Sequence, residues 1–201
     1  VFWITAFNSY SWFFIKNLKR SEPPFRNIVQ LKRWSEVQLE GLLMARSAAA
    51  GHMPTFEDLV IDRGVGGNTQ LEVVKTARSY FRLLGDLTGG NPAVAVHHWM
   101  RAIRYEDDTI RVGLHNPPVP KALAEASDDV LFLLTCVASH GSMDDEQIAH
   151  VLRMRIDAVR RILAWCEENS FIHRDGRVVA LNLETYRQVV RTLSMRSFIY
   201  F

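Results

Sequence analysis

Three groups of residues in this 201-residue chain have types and spacing that suit chemistry. Gly90-Asn91-Pro92 forms a corner between two apolar helical patterns, where Asn91 suits the helix cap and Pro92 the first turn, in which a missing N–H costs nothing. Asn8, with Thr5 ahead of it, closes the apolar run Val1 to Phe7. An amide at the C-terminal edge of a buried parallel strand stands where open α/β sheets bind their ligands. Arg155, Arg160 and Arg161 lie on one helical pattern, and Arg174 and Arg177 flank a hairpin turn, so together they suit neutralisation of nucleic-acid phosphates. Asp157, Glu167, Glu168 and Asp175 are interleaved among them, which favours a protein contact over DNA.

Other polar clusters carry less. The phosphate-loop pattern G-x-x-x-x-G-K-[ST] is absent from the chain, and Gly64, Gly66, Gly67 and Asn68 read as a flexible surface connection. His97-His98 has no third ligand at metal spacing and reads as an exposed pair. Asp144, with Gln147 three residues on, caps a helix that Asp145 and Glu146 begin, where acids offset the macrodipole. Cys136 and Cys166 sit inside apolar helical patterns without C-x-x-C spacing, as core thiols do in a reducing, cytoplasmic compartment. Neither a Ser/His/Asp arrangement nor a pair of catalytic carboxylates can be placed.

The elements that must position these residues follow from periodicity. Hydrophobic residues make up 48% of the chain and charged ones 23%, a balance that excludes a disordered segment. Val1 to Phe7 and Asn27 to Leu31 read as short buried strands, with a helix from Tyr10 to Lys19 between them. Ser35 and Gln38 form a capping box ahead of Leu39, Leu42 and Leu43. Ala77, Tyr80, Phe81, Leu84 and Leu87 mark one face of a helix ended by Gly89 and Gly90, and Val96, Trp99, Met100 and Ile103 the buried face of the next. Asp107 to Leu114 reads as a strand or hairpin arm, and Asn116 to Pro120 as a stiff linker at a domain boundary. From Ser127, three helical patterns precede two strands about Asp175-Gly176, the order of a winged helix.

The order of elements resembles P-loop ATPases of the AAA+ and STAND type, from the last core strands through a helical lid into a winged helix. The resemblance implies an α/β remnant of a P-loop NTPase core over 1–50, an all-α lid and linker over 51–120, and an α+β winged-helix domain over 121–201, mainly α overall. It implies that Asn8 or Thr5 senses the γ-phosphate, that Arg20 or Arg26 reaches a neighbouring subunit's nucleotide, and that Gly90-Asn91-Pro92 places its proline against the adenine. His173 stands near the position of a nucleotide-contacting histidine, without the Met-His-Asp motif of STAND proteins. Ala93 replaces the phosphate-sensing arginine of the AAA+ branch, which favours the STAND or origin-recognition-like side.

The implied cofactor is ATP with Mg, held mainly by an N-terminal half of the same protein that precedes Val1. The implied partners are that half and further copies of the chain, and protein rather than DNA on the winged helix. The opening stretch is about fifteen residues long, is interrupted by Asn8 and Ser9 and falls short of the roughly 20 apolar residues a spanning helix needs, and a start in mid-strand without Met reads as a fragment. Any membrane anchor then lies outside it. Two rivals stand beside the ATPase reading: a winged-helix DNA-binding regulator, and a non-catalytic interaction domain whose strands complete a partner's sheet. A net charge of +2 announces neither nucleic acid nor membrane, although residues 1–34 carry six Lys/Arg against Glu22 alone.

Overall fold

The computed structural model describes residues 3–18, 25–56, 59–65, 68–74, 77–106, 109–113, 115, 117 and 121–200, with Leu18 and the two stretches 59–65 and 68–74 described by backbone alone. Among them the chain is mainly helical, with eight α-helices and three small sheets. It divides into two compact units, Leu31–Pro117, and Val1–Gln30 with Pro118–Phe201. Helix α1 (Ser9–Leu18) comes first. The unit Leu31–Pro117 then holds α2 (Glu36–Ala49), β1 (Pro54–Phe56), β2 (Leu59–Val65), β3 (Asn68–Val74), α3 (Ala77–Thr88), α4 (Pro92–Ala102), β4 (Ile103–Glu106) and β5 (Thr109–Val112). The other unit continues with α5 (Asp128–His140), β6 (Ser142–Asp144), α6 (Asp145–Leu152), α7 (Ile156–Glu168), β7 (Ile172–Asp175), β8 (Val178–Leu181) and α8 (Tyr186–Met195).

In the unit Leu31–Pro117, α2 starts at a complete capping box: the Gln38 N–H donates to Ser35 Oγ at 3.3 Å and the Ser35 N–H to Gln38 Oε1 at 2.9 Å. Leu39 and Leu43 of α2 pack with Tyr80, Phe81 and Leu84 of α3 and with Ala95, Trp99 and Ala102 of α4. Phe56 of β1 enters the same core, its ring 5.5 Å from Tyr80 and 6.3 Å from Trp99. The sheet orders β1-β5-β4, with β1 parallel to β5 and β4 antiparallel to it.

The other unit is built on α5, whose Leu131, Leu133, Leu134 and Val137 are wholly buried. Ile148 of α6, Val159, Leu163 and Cys166 of α7, and Val189 and Leu193 of α8 close around them. The order from α5 to β8 is helix, strand, helix, helix, strand, strand, and the sheet orders β6-β8-β7, antiparallel throughout. A second capping box starts α6, where Asp144 Oδ1 accepts from the Gln147 N–H at 2.8 Å. Gly176, at φ +58, makes the turn between β7 and β8.

Five expectations change. Residues 51–120 are not all-α: the strands β1 to β5 lie among them beside α3 and α4. Residues 3–7 and 27–31 form no strand: Ile4 and Val29 are 83% and 87% exposed, and no described strand pairs with either segment. A strand needs a neighbour for its N–H and C=O groups, and apolar composition alone supplies none. Strands β2 and β3 pair antiparallel over seven residue pairs where a flexible connection was expected, with Gly64 and Asn68 inside them and Gly66 and Gly67 outside the described residues. In the sequence, Gly-Gly between two runs that contain β-branched residues is a hairpin signal. The buried face of α4 is Ala95, His98, Trp99 and Ala102, one step in phase from the expected face, so Met100 is exposed. His98 is accordingly buried, with its ring 5.5 Å from that of His115, rather than exposed beside His97.

Two outcomes follow. Gly41→Ala, in an open stretch of α2, should raise the melting temperature through a helix-propensity gain of about 1 kcal/mol, whereas Gly90→Ala should lower it through a loss of about 2 kcal/mol or more. Burial pushes the Cys166 thiol from its ordinary 9.0 up to about 12. Above pH 9 the unfolded thiol gives up its proton while the folded one keeps it, so stability present below pH 9 declines as pH rises toward 12. Denaturant unfolding from pH 8 to 11 should show that decline, and Cys166→Ala should reduce it, the remainder coming from the buried Cys136 thiol.

Candidate functional site

The corner between α3 and α4 is fixed by glycine backbone. Gly89 and Gly90 have φ of +60 and +73, the left-handed region that ends a helix without a steric penalty. The Trp34 N–H donates to the Gly90 carbonyl at 3.0 Å. A Cβ on Gly90 would lie 2.6 Å from the Trp34 carbonyl oxygen and 3.0 Å from Arg33 Cβ, so only glycine fits. Asn91 caps α4, its Oδ1 accepting from the N–H of Ala93 at 3.0 Å and of Val94 at 3.4 Å, and Pro92 occupies the first turn. Asn91 and Pro92 are half-buried and Ala93 is exposed. Because Asn91 already engages two helix donors, the corner can offer an incoming molecule the proline ring rather than an anion-binding helix end.

Asn8 caps a helix and closes another. Its Oδ1 accepts from the Ser11 N–H at 2.8 Å, while its Nδ2 donates to the carbonyls of Ala138 at 3.1 Å and Ser139 at 2.7 Å. The Ser11 hydroxyl also donates to the Ser139 carbonyl. These carbonyls end α5, carry the negative pole of its dipole and lack partners inside the helix, so the amide satisfies them. Thr5 lies in exposed extended chain. Arg26 is exposed beside Phe25, whose ring packs 5.9 Å from Phe7 and 6.0 Å from Trp12, and Arg20 lies outside the described residues.

The arginines of α7 and the hairpin are largely spoken for. Asp145, at the start of α6, accepts a 2.9 Å bond from Arg174 Nη1 and lies 3.5 Å from Arg160 Nε. Arg174 also faces Glu167 at 3.9 Å. Arg155 sits at the N-cap of α7, where a cation opposes the helix dipole, and Arg177 is exposed after the turn. Arg161 points elsewhere, into a cleft of about 360 Å³ walled by Val130, Ile162 and Trp165 with Glu125 at its edge. His173 is exposed on β7 and pairs across the ladder with Ala180.

The structure therefore gathers Gly90, Asn91 and Pro92 at one corner and Arg160 and Arg174 at one carboxylate, and leaves Thr5, Arg26 and Arg177 on open surface. Sequence reasoning overlooked Asp145 as the hub of the ion network, because its partner Arg174 lies 29 residues away and only the hairpin brings it back. It also overlooked Arg33 and Trp34, whose contact with Gly90 spans 56 positions and has no sequence signature.

No known protein family, curated protein or solved structure matches the chain.

Replacing Asp145 by Asn should free Arg160 and loosen Arg174, which keeps Glu167 at 3.9 Å. Non-specific duplex DNA binding, measured by fluorescence anisotropy against salt, should then strengthen and steepen by up to about two phosphate contacts. An unchanged salt slope would show that these arginines do not reach DNA even when released.

Proposed function

We propose that this chain is the nucleotide-sensing lid and winged-helix portion of an ATP-binding ATPase of the AAA+/STAND kind. The observation that carries the reading is the Trp34–Gly90 bond. Trp34 follows the apolar segment Asn27 to Leu31 by three residues, and Gly90 opens the Gly-Asn-Pro corner, so a displacement of that segment is delivered by backbone to the corner. A lid that reports the state of a nucleotide-binding core needs such a connection. The proposal gives the exposed segments 3–7 and 27–31 their missing partners, as strands of a core sheet whose phosphate-binding loop is carried elsewhere in the ATPase.

The helix, strand, helix, helix, strand, strand order with sheet order β6-β8-β7 supports a winged helix in the unit that contains α5 to β8. Its α7 arginines being tied to Asp145 and Glu167 supports a protein-facing or intramolecular role over DNA reading. ATP, when bound, supplies the phosphoryl chemistry. In this chain Pro92 would offer its ring to the base, Asn91 would keep the first turn of α4 rigid, and Gly90 would hold the corner on Trp34. The lid and winged helix then move as bodies when the corner is engaged or released.

The test is ATP binding by a longer chain that places a phosphate-binding half, roughly 150 residues on domain-size grounds, ahead of Val1. Pro92→Ser should weaken ATP binding about tenfold, a loss of about 1.4 kcal/mol, with the circular dichroism spectrum unchanged. ATP binding that is indifferent to Pro92→Ser and to Gly90→Ala, whose Cβ would push the corner off the Trp34 backbone, would remove the lid reading. A longer chain that folds yet never binds ATP would leave the interaction-domain rival in its place.

A further inference from the structure

We propose that Cys136, Met143 and His140 form a site for a soft monovalent metal ion, Cu(I). Cys136 Sγ lies 3.4 Å from Met143 Sδ and 4.0 Å from His140 Nδ1. Two metal–sulfur bonds of about 2.3 Å at a trigonal angle hold their sulfurs about 4 Å apart, so the sulfurs need to separate only by a few tenths of an ångström. A thiolate, a thioether and an imidazole are a donor set that selects copper over harder ions.

The fold builds this cluster from three constraints. Cys136 and His140 are four residues apart on α5 and share one helix face. Gly141, at φ +82, ends the helix and turns the chain, and β6 brings Met143 back over Cys136, where pairing with Val179 of β8 holds it. Asn8 and Ser11 bind the carbonyls of Ala138 and Ser139 and so fix the last turn that carries His140. Cys136 and Met143 are each 5% exposed, while His140 is exposed, which gives the ion an entry from solvent past the imidazole.

Binding is a ligand exchange without redox change. The Cys136 S–H proton leaves to solvent, the sulfur lone pair forms the S–Cu bond, and Met143 Sδ and His140 Nδ1 each donate a lone pair. His140 Nδ1 is 2.8 Å from the Cys136 carbonyl oxygen, so coordination replaces that contact and leaves the ring proton on Nε2.

The experiment is anaerobic titration of the 201-residue chain with Cu(I), supplied as its acetonitrile complex, in competition with bathocuproine disulfonate. The expected result is one Cu(I) per chain, with thiolate-to-copper absorbance in the near ultraviolet and no change in Cys166→Ser. Cys136→Ser should abolish binding, and Met143→Leu and His140→Ala, which leave the thiol in place, should each weaken it about tenfold. Failure to retain Cu(I) against the chelator would overturn the proposal. So would wild-type affinity in both Met143→Leu and His140→Ala, since a lone thiol would then account for the uptake.

Discussion

One backbone hydrogen bond, from the Trp34 N–H to the Gly90 carbonyl, sets the geometry of the unit Leu31–Pro117. It requires glycine at 90, because any Cβ would meet the Trp34 carbonyl, and that glycine in turn ends α3 in the left-handed conformation from which Asn91 starts α4. The angle between two helices is thus fixed by main-chain atoms, which have no rotamers to relax. Tyr80, Phe81 and Trp99 then fill the angle, with the Phe81 and Trp99 rings stacked at 5.9 Å. Aromatic packing of this kind adds stabilisation but would tolerate several angles; the glycine contact selects one.

The unit containing α5 depends on a different constraint. A helix whose sides are almost wholly buried can meet polar partners only at its ends, and α5 does so. Its last carbonyls accept from Asn8, its C-cap turns on Gly141, and its final turn presents Cys136 and His140 to Met143. Burial also explains why both thiols resist ionisation, since an apolar core disfavours the thiolate. The polar chemistry of this unit is therefore concentrated where the helix dipole and the unpaired carbonyls already demand it.

Local signals were legible in the sequence and non-local ones were not. Both capping boxes, Ser35 with Gln38 and Asp144 with Gln147, form as their spacing requires, and so does the Asn91-Pro92 start of α4. The turn at Gly176 and the pattern of helices from Asp128 to Glu168 were equally readable. Each rests on interactions within about four residues. The segments 3–7 and 27–31 have strand composition, but whether an apolar run becomes a strand depends on a neighbour that its own sequence does not name. The phase of α4 slipped because its pattern is rich in small and amphipathic residues, and His98 is no less at home inside than Met100. Asp145 and Gly90 acquire their roles from residues 29 and 56 positions away, beyond the reach of any spacing rule.

These constraints bear on how such a chain can move. The end of α5 satisfies Asn8 and Ser11 at the carbonyls of its last turn, and a slide of the helix past them would break these bonds. Gly90 is equally constrained, since a Cβ there would meet the Trp34 carbonyl oxygen at 2.6 Å. Conformational change, on the lid reading, must then be rigid-body motion with the bending confined to connecting segments, as packed cores behave as discrete states rather than continuous springs. The ion pairs of Asp145 fit that picture: they tie the start of α6, the face of α7 and the hairpin strand β7 into one body, so that a push on any of the three is carried by all.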